Sequence, residues 1–178
     1  MKIRTDFVTN SSSSSFILAF KNEEDFDVFK QECNDYDYKQ FKKLIERWHK
    51  NGPIYGYTDA NTQTHKEVAL AMLEHLYSLD YKRKLVEERI DRSQFKEFRD
   101  FLIEEHKLTD SQEFKDLVQN YLDNNEEYQE KIKQVNDSEI IVTCEIWDSN
   151  GGLLEWAIRN DFVRHEFRKW LVYQIDIG

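Results

Sequence analysis

Cysteine, proline and glycine are all scarce: the 178-residue chain holds two, one and five of them. Cys33 and Cys144 are too few for a four-thiolate zinc site or a disulfide framework, so the sequence points to a reducing compartment, the cytoplasm. Five glycines leave no G-x-x-x-x-G-K-[ST], no G-x-G-x-x-G and no G-x-S-x-G. A phosphate-cradling loop, a dinucleotide turn and a nucleophile elbow of the usual kind are thereby excluded, which disfavours an ATPase, an NAD enzyme or an α/β-hydrolase. Long apolar runs are also missing. The run Phe16-Ile17-Leu18-Ala19-Phe20 is shorter than the roughly seven to fifteen residues of a signal-peptide core or the roughly twenty of a membrane span. No secretory segment and no membrane association are expected, and the run reads as a buried strand.

Positive charge is in deficit, with 25 Lys and Arg against 35 Asp and Glu and a net charge of −10. Affinity for a phosphate backbone comes chiefly from basic side chains that release counterions, so direct nucleic-acid binding is disfavoured. The excess is local. Residues 1 to 90 sum to −1, residues 91 to 137 to −6 and residues 138 to 178 to −3.

What the chain does have is aromatic mass: 12 Phe, nine Tyr and four Trp within a hydrophobic share of 39 %. A core of useful size can be buried, and the length suits one domain, preceded by an irregular Ser-rich arm over residues 1 to 13. The strand is expected to begin near Ser14. Asn22 then suits the cap of a helix over 23–31, with Phe26 and Phe29 one turn apart. A second helix over 38–50 carries Phe41, Leu44, Ile45 and Trp48 at i, i+3, i+4 and i+7. It stops at Asn51-Gly52-Pro53, where Gly supplies a left-handed cap and Pro cannot continue the ladder. After an aperiodic segment over 54–62, helices follow from near Thr64 and over 93–107, the latter with Phe95, Phe98, Phe101 and Leu102 on one buried stripe. Thr109, with Gln112 in the reciprocal position, suits the cap of the next, which buries Phe114, Leu117, Val118, Tyr121 and Leu122. A more polar helix over 126–135 trails it.

After Asn136-Asp137 the period changes from 3.6 to 2. Residues 139–147 and 153–160 read as strands joined through Ser149-Asn150-Gly151-Gly152, a hairpin signal. A three-residue loop aligns Val142, Cys144 and Ile146 with Leu154, Trp156 and Ile158, leaving Thr143, Glu145, Glu155 and Arg159 on a wetter face. Asp161 suits the cap of a short helix that turns Val163, Phe167, Trp170 and Leu171 inward. Residues 170–177 also alternate well enough for a strand, and both readings stand. The class is α+β: a small antiparallel sheet formed by strands from both chain ends, with four to six inserted helices.

Few residues offer chemistry. Ser11, Ser12, Ser13, Ser14 and Ser15 have no local base or oxyanion donors, so catalysis there is disfavoured. A flexible or edge-strand tract and a recognition or modification site both remain. Glu46 and His49 have one E-x-x-H spacing, where a di-iron bundle needs two plus further carboxylates. Asp161 and His165 are an equally weak pair, and His65, His75 and His106 lack ligand spacing. No metal and no cofactor are expected. Tyr55, Tyr57 and Asp59 in the aperiodic segment are the best contact candidates, because Tyr gives large amphipathic area at low entropy cost.

The opening Asp6-Phe7-Val8-Thr9-Asn10-Ser11-Ser12-Ser13-Ser14-Ser15-Phe16 resembles an N-terminal signature that begins many otherwise dissimilar uncharacterised bacterial proteins. The resemblance implies a bacterial origin and stops at Phe16. A shared start on unlike bodies suits a tag read by a partner, or a shared first strand with a structural use. The sequence assigns no reaction. It favours a non-enzymatic cytoplasmic protein-interaction domain with a protein partner, the Ser tract and the Tyr segment being its contact surfaces. Two alternatives stand beside it: an enzyme of unfamiliar type with a site between the 54–62 loop and the C-terminal hairpin, and an acidic decoy for a nucleic-acid-binding protein.

Overall fold

A computed structural model of the chain describes residues 13–32, 39–52, 64–146 and 168–177, with the side chains of 13–15, 32, 39–41, 44, 144–146 and 175–177 excepted. The expected strand is β1 (Ser13–Phe20), and it is central. It pairs antiparallel with β2 (Ile140–Ile146) on one edge and β3 (Leu171–Ile177) on the other, giving the order β2-β1-β3. Strands from both ends of the chain thus build one sheet, and the helices lie between them in sequence. The register sets Phe16 against Cys144, Leu18 against Val142 and Phe20 against Ile140. Toward β3, Ile17 faces Tyr173 and Leu18 faces Leu171, so the pairing shifts between Ile17 and Leu18.

Burial explains why β1 is a continuous apolar run and not an alternating one. Phe16, Leu18 and Phe20 form one face and, with Ile140 and Val142, pack on Phe26 and Phe29 of α1 (Glu23–Glu32), Ile45 and Trp48 of α2 (Lys39–Asn51), and Trp170. The other face is also closed: Ile17, Ala19, Ile141 and Thr143 are buried. A strand covered on both sides needs apolar residues at every position. The aromatic centre is tight, with the Phe20 ring 4.9 Å from Phe26, 5.2 Å from Phe29 and 5.9 Å from Trp170.

Helix ends follow their cap chemistry. Asn22 accepts the Asp25 N–H at 2.9 Å, while the Lys21 N–H donates back to Asp25 at 3.3 Å. The second helix closes on Gly52 at φ 81°, whose N–H reaches the Trp48 carbonyl at 3.0 Å. Thr64 opens α3 (His65–Arg89) with a reciprocal pair: the Glu67 N–H donates to Thr64 Oγ1 at 3.2 Å, and the Thr64 N–H donates to Glu67 Oε2 at 2.8 Å.

The chain divides into two compact units, Met1–Ala71 with Lys131–Gly178 and Met72–Glu130, here called the sheet unit and the helical unit. The helical unit contains the later part of α3, α4 (Phe98–Asp110), α5 (Gln112–Asp123) and the start of α6 (Glu126–Asn136). Phe114, Val118 and Leu122 of α5 are buried, the Tyr77 and Tyr128 rings lie 5.6 Å apart, and Tyr81 stacks on Tyr121 at 4.2 Å.

Three expectations are corrected, and one open choice is decided. The single helix over 93–107 is instead a 3₁₀ turn, Arg92–Gln94, followed by α4, with Phe95 and Glu97 extended between them. Asp91 causes the break by accepting the Ser93 N–H at 2.9 Å and the Ser93 hydroxyl at 2.7 Å. The cap of α5 is Ser111, whose Oγ accepts the Phe114 N–H at 3.2 Å; Thr109 lies inside α4 and donates to the His106 carbonyl. Thr143 is 1 % exposed and not on a wet face. Of the two readings left open for 170–177 the strand is the one found: Trp170 ends a turn, its carbonyl accepting the Ala19 N–H at 2.8 Å, and Leu171 starts β3.

Candidate functional site

Helix α4 is unlike the other described α-helices: none of its residues is buried. Phe98, Leu102 and Ile103 are 55 %, 43 % and 44 % exposed, three of the five large hydrophobics that lie open among the described residues. At 100° per residue Phe98 and Leu102 stand one turn apart in a row, and Ile103 lies about 100° further around the helix. Phe101, half-buried, turns toward the body, its ring 6.1 Å from both Phe95 and Phe98. Arg92 lies over the aromatic end, its guanidinium 4.6 Å from the Phe98 ring and 5.1 Å from the Phe101 ring. That contact orients both groups.

The helix is lightly held. Glu97 at its N-cap makes no side-chain cap bond, so α4 depends on packing that it mostly lacks, a property of segments that adapt to partners. Beside it a concavity of about 540 Å³ is lined by Glu87, Glu88, Asp91 and Glu104 together with Arg89 and Lys107, and by the apolar Ile90, Phe95 and Leu108. The helical unit as a whole carries 16 Asp and Glu against nine Lys and Arg, a net charge of −7. In the sheet unit a concavity of about 370 Å³ is lined by Lys21, Asp25, Asp137 and Lys169, whose charges balance.

The most constrained titratable group is structural. His65, at the start of α3, places Nε2 at 2.9 Å from the Trp48 carbonyl and Nδ1 at 3.1 Å from the Thr143 N–H and 3.0 Å from Thr143 Oγ1. Burial pushes its pKa below the ordinary value, opposed by the hydrogen bond to Trp48 and assisted by neighbouring His49. Both ring nitrogens are occupied, which removes His65 as a metal ligand. His106 bonds Asp110 at 3.2 Å, and the His49 ring lies 4.9 Å from that of Phe26. Among the described residues no group of three His, Cys, Asp or Glu converges as a metal site would require.

Of the residues singled out in the sequence, Ser13, Ser14 and Ser15 enter the central strand, where Ser14 pairs with Ile146 on one side and Asp176 on the other. Ser11, Ser12, Tyr55, Tyr57 and Asp59 lie outside the described residues, as do the 153–160 strand with Glu155 and Arg159, and Asp161 with His165. The α4 surface was hidden by the assumption that an aromatic stripe at helical spacing is core. A signal against that assumption exists: Phe98, Phe101, Leu102, Ile103 and Leu108 spread around most of the helix, wider than one buried face needs.

No family model, curated protein or solved structure matches the chain.

Proposed function

We propose that the chain is a non-enzymatic protein-interaction domain of the bacterial cytoplasm that binds its partner through the open face of α4. The observation that carries this reading is the exposure of Phe98, Leu102 and Ile103 on a helix with no buried residue of its own. Large apolar side chains left open to water mark contact sites, and aromatic residues flanked by Arg are the side chains enriched there. The Ser tract takes a restricted part. Ser14 and Ser15 pair with strands on both edges and Ser13 with β3, so a partner that adds a strand finds no free edge at Ser14 and Ser15 and must read side chains or residues that precede the strand.

The test is a comparison of the proteins retained by the wild-type chain and by Phe98→Asp/Leu102→Asp from cells of the source organism. Loss of specific partners at unchanged thermal stability supports the reading; identical partner sets refute it. The charge of −7 on the helical unit favours the acidic decoy as a second reading. That reading predicts binding indifferent to Phe98 and Leu102 and abolished by charge reversal across residues 91–137.

A further inference from the structure

We propose that the sheet unit holds a binding site for a free α-amino acid with an aliphatic side chain, in the concavity of about 370 Å³ at the end of β1. That volume is at the lower end of the roughly 300–1,000 Å³ of small-molecule pockets, which suits a ligand of this size. The site lies on a different surface from α4 and does not depend on the contact reading. Backbone pairing assembles it from four separate pieces of chain. Lys21 follows β1, Asp25 stands in the first turn of α1, Asp137 follows α6 and Trp170 precedes β3. The Glu139 N–H donates to the Lys21 carbonyl at 3.2 Å, the Ala19 N–H to the Trp170 carbonyl at 2.8 Å and the Lys21 N–H to Asp25 Oδ2 at 3.3 Å. The lining is therefore held by the sheet and its flanking helices, as a preorganised site requires.

The charges name the ligand class. Lys21, Asp25 and Asp137 line one small space, yet none of them makes an ion pair among the described residues. Opposite charges that share a concavity without touching are satisfied together by a ligand that carries both signs. Its carboxylate takes Lys21 and its ammonium takes Asp25 or Asp137, with charge-assisted hydrogen bonds at each end. A simple anion meets the two aspartates, and a simple cation meets Lys21 and Lys169, so neither fits as well.

Trp170 supplies an independent reason. It is 4 % exposed, and its indole N–H has no hydrogen-bond partner among the described residues, although a buried indole normally finds one. The N–H is not sealed in the core, and Trp170 lines this concavity, so a ligand carboxylate is the acceptor it lacks. Lys169 lines the same space with its ammonium 5.3 Å from the Trp170 ring centroid, near enough for one carboxylate to accept from both. Val28, 38 % exposed, and Ala19 add apolar surface to the lining, which suits an aliphatic side chain.

L-Leucine is the probe, titrated into the full chain while the indole N–H signals are followed in ¹H–¹⁵N spectra; the Trp170 signal is assigned through backbone connectivity and checked with Trp170→Phe. The expected result is a saturable shift of that signal with a dissociation constant of about a millimolar or below. Isocaproate, which lacks the ammonium, and isoamylamine, which lacks the carboxylate, should bind at least about tenfold more weakly. Lys21→Met and Asp137→Asn should each weaken leucine by about fivefold. Both positions are exposed and neither side chain has a hydrogen bond among the described residues, so melting curves of these variants should superimpose on wild type. A Trp170 signal unmoved by leucine at about ten times that concentration, a shift reproduced equally by isocaproate or isoamylamine, or binding indifferent to both substitutions overturns the proposal.

Discussion

Thr143 donates its backbone N–H to Nδ1 of His65 at 3.1 Å, and this one contact fixes the charge of the imidazole. A backbone N–H can only donate, so Nδ1 must present its lone pair. The ring proton then sits on Nε2 and is donated to the Trp48 carbonyl at 2.9 Å. A strand N–H, the last turn of α2 and the first residue of α3 are joined through a neutral ring. Protonating Nδ1 would set two donors against each other.

The pH dependence follows with its sign. Burial lowers the folded pKa of His65 below 6.5, so on acidification the unfolded chain takes up the proton first. The contribution to stability is complete above pH 6.5, falls as the pH drops from there toward the lower folded value, and levels off below it. Urea midpoints measured above and below pH 6.5 should separate more for wild type than for His65→Gln. The ¹⁵N shifts of the ring should report the Nε2–H tautomer at neutral pH.

Core truncation should be severe in the sheet unit. Phe20 and Phe29 are fully buried and lie 5.2 Å and 5.3 Å from their ring neighbours Phe29 and Trp170. Phe20→Ala or Phe29→Ala should cost about 3–5 kcal/mol in denaturant unfolding.

The cap assignment is tested by two small substitutions. Ser111→Ala removes the acceptor for the Phe114 N–H and should cost about 1 kcal/mol. Thr109→Ala, which removes only a bond from the Thr109 hydroxyl to the His106 carbonyl inside α4, should change stability by less than about 0.5 kcal/mol.

Removing the N-terminal tract should act on the fold before it acts on recognition. Deletion of residues 1–15 takes Ser13, Ser14 and Ser15 from a strand paired on both edges. It should lower the melting temperature, whereas Ser14→Thr/Ser15→Thr should retain it, because Thr suits a strand. Recognition of the tract is therefore measured with substitutions and not with truncation.

These residues also show how far the sequence could be read. Phe16–Phe20 identified the strand because five apolar residues bounded by polar ones have few other uses, and Asn22, Gly52 and Thr64 marked helix ends through local chemistry alone. The α+β class followed from the change of period after Asn136. Pairing is different: nothing in Ser13–Phe20 itself says that both edges are occupied, because the partners lie more than a hundred residues away. Thr143 was misplaced for the same reason. Alternation predicts two faces but not what covers the second, and His65 is 78 positions distant. The α4 face was misread because spacing distinguishes an apolar stripe from a polar one, not a covered stripe from an open one.

The claim that α4 is the contact surface is tested most directly by a photo-cross-linking residue placed at position 102 and, as a control, at position 119, which is also exposed but lies on α5. In cells of the source organism the account predicts a discrete protein adduct at 102, absent at 119 and lost when Phe98→Asp is added. Adducts of equal yield at both positions, or none at 102, would contradict it.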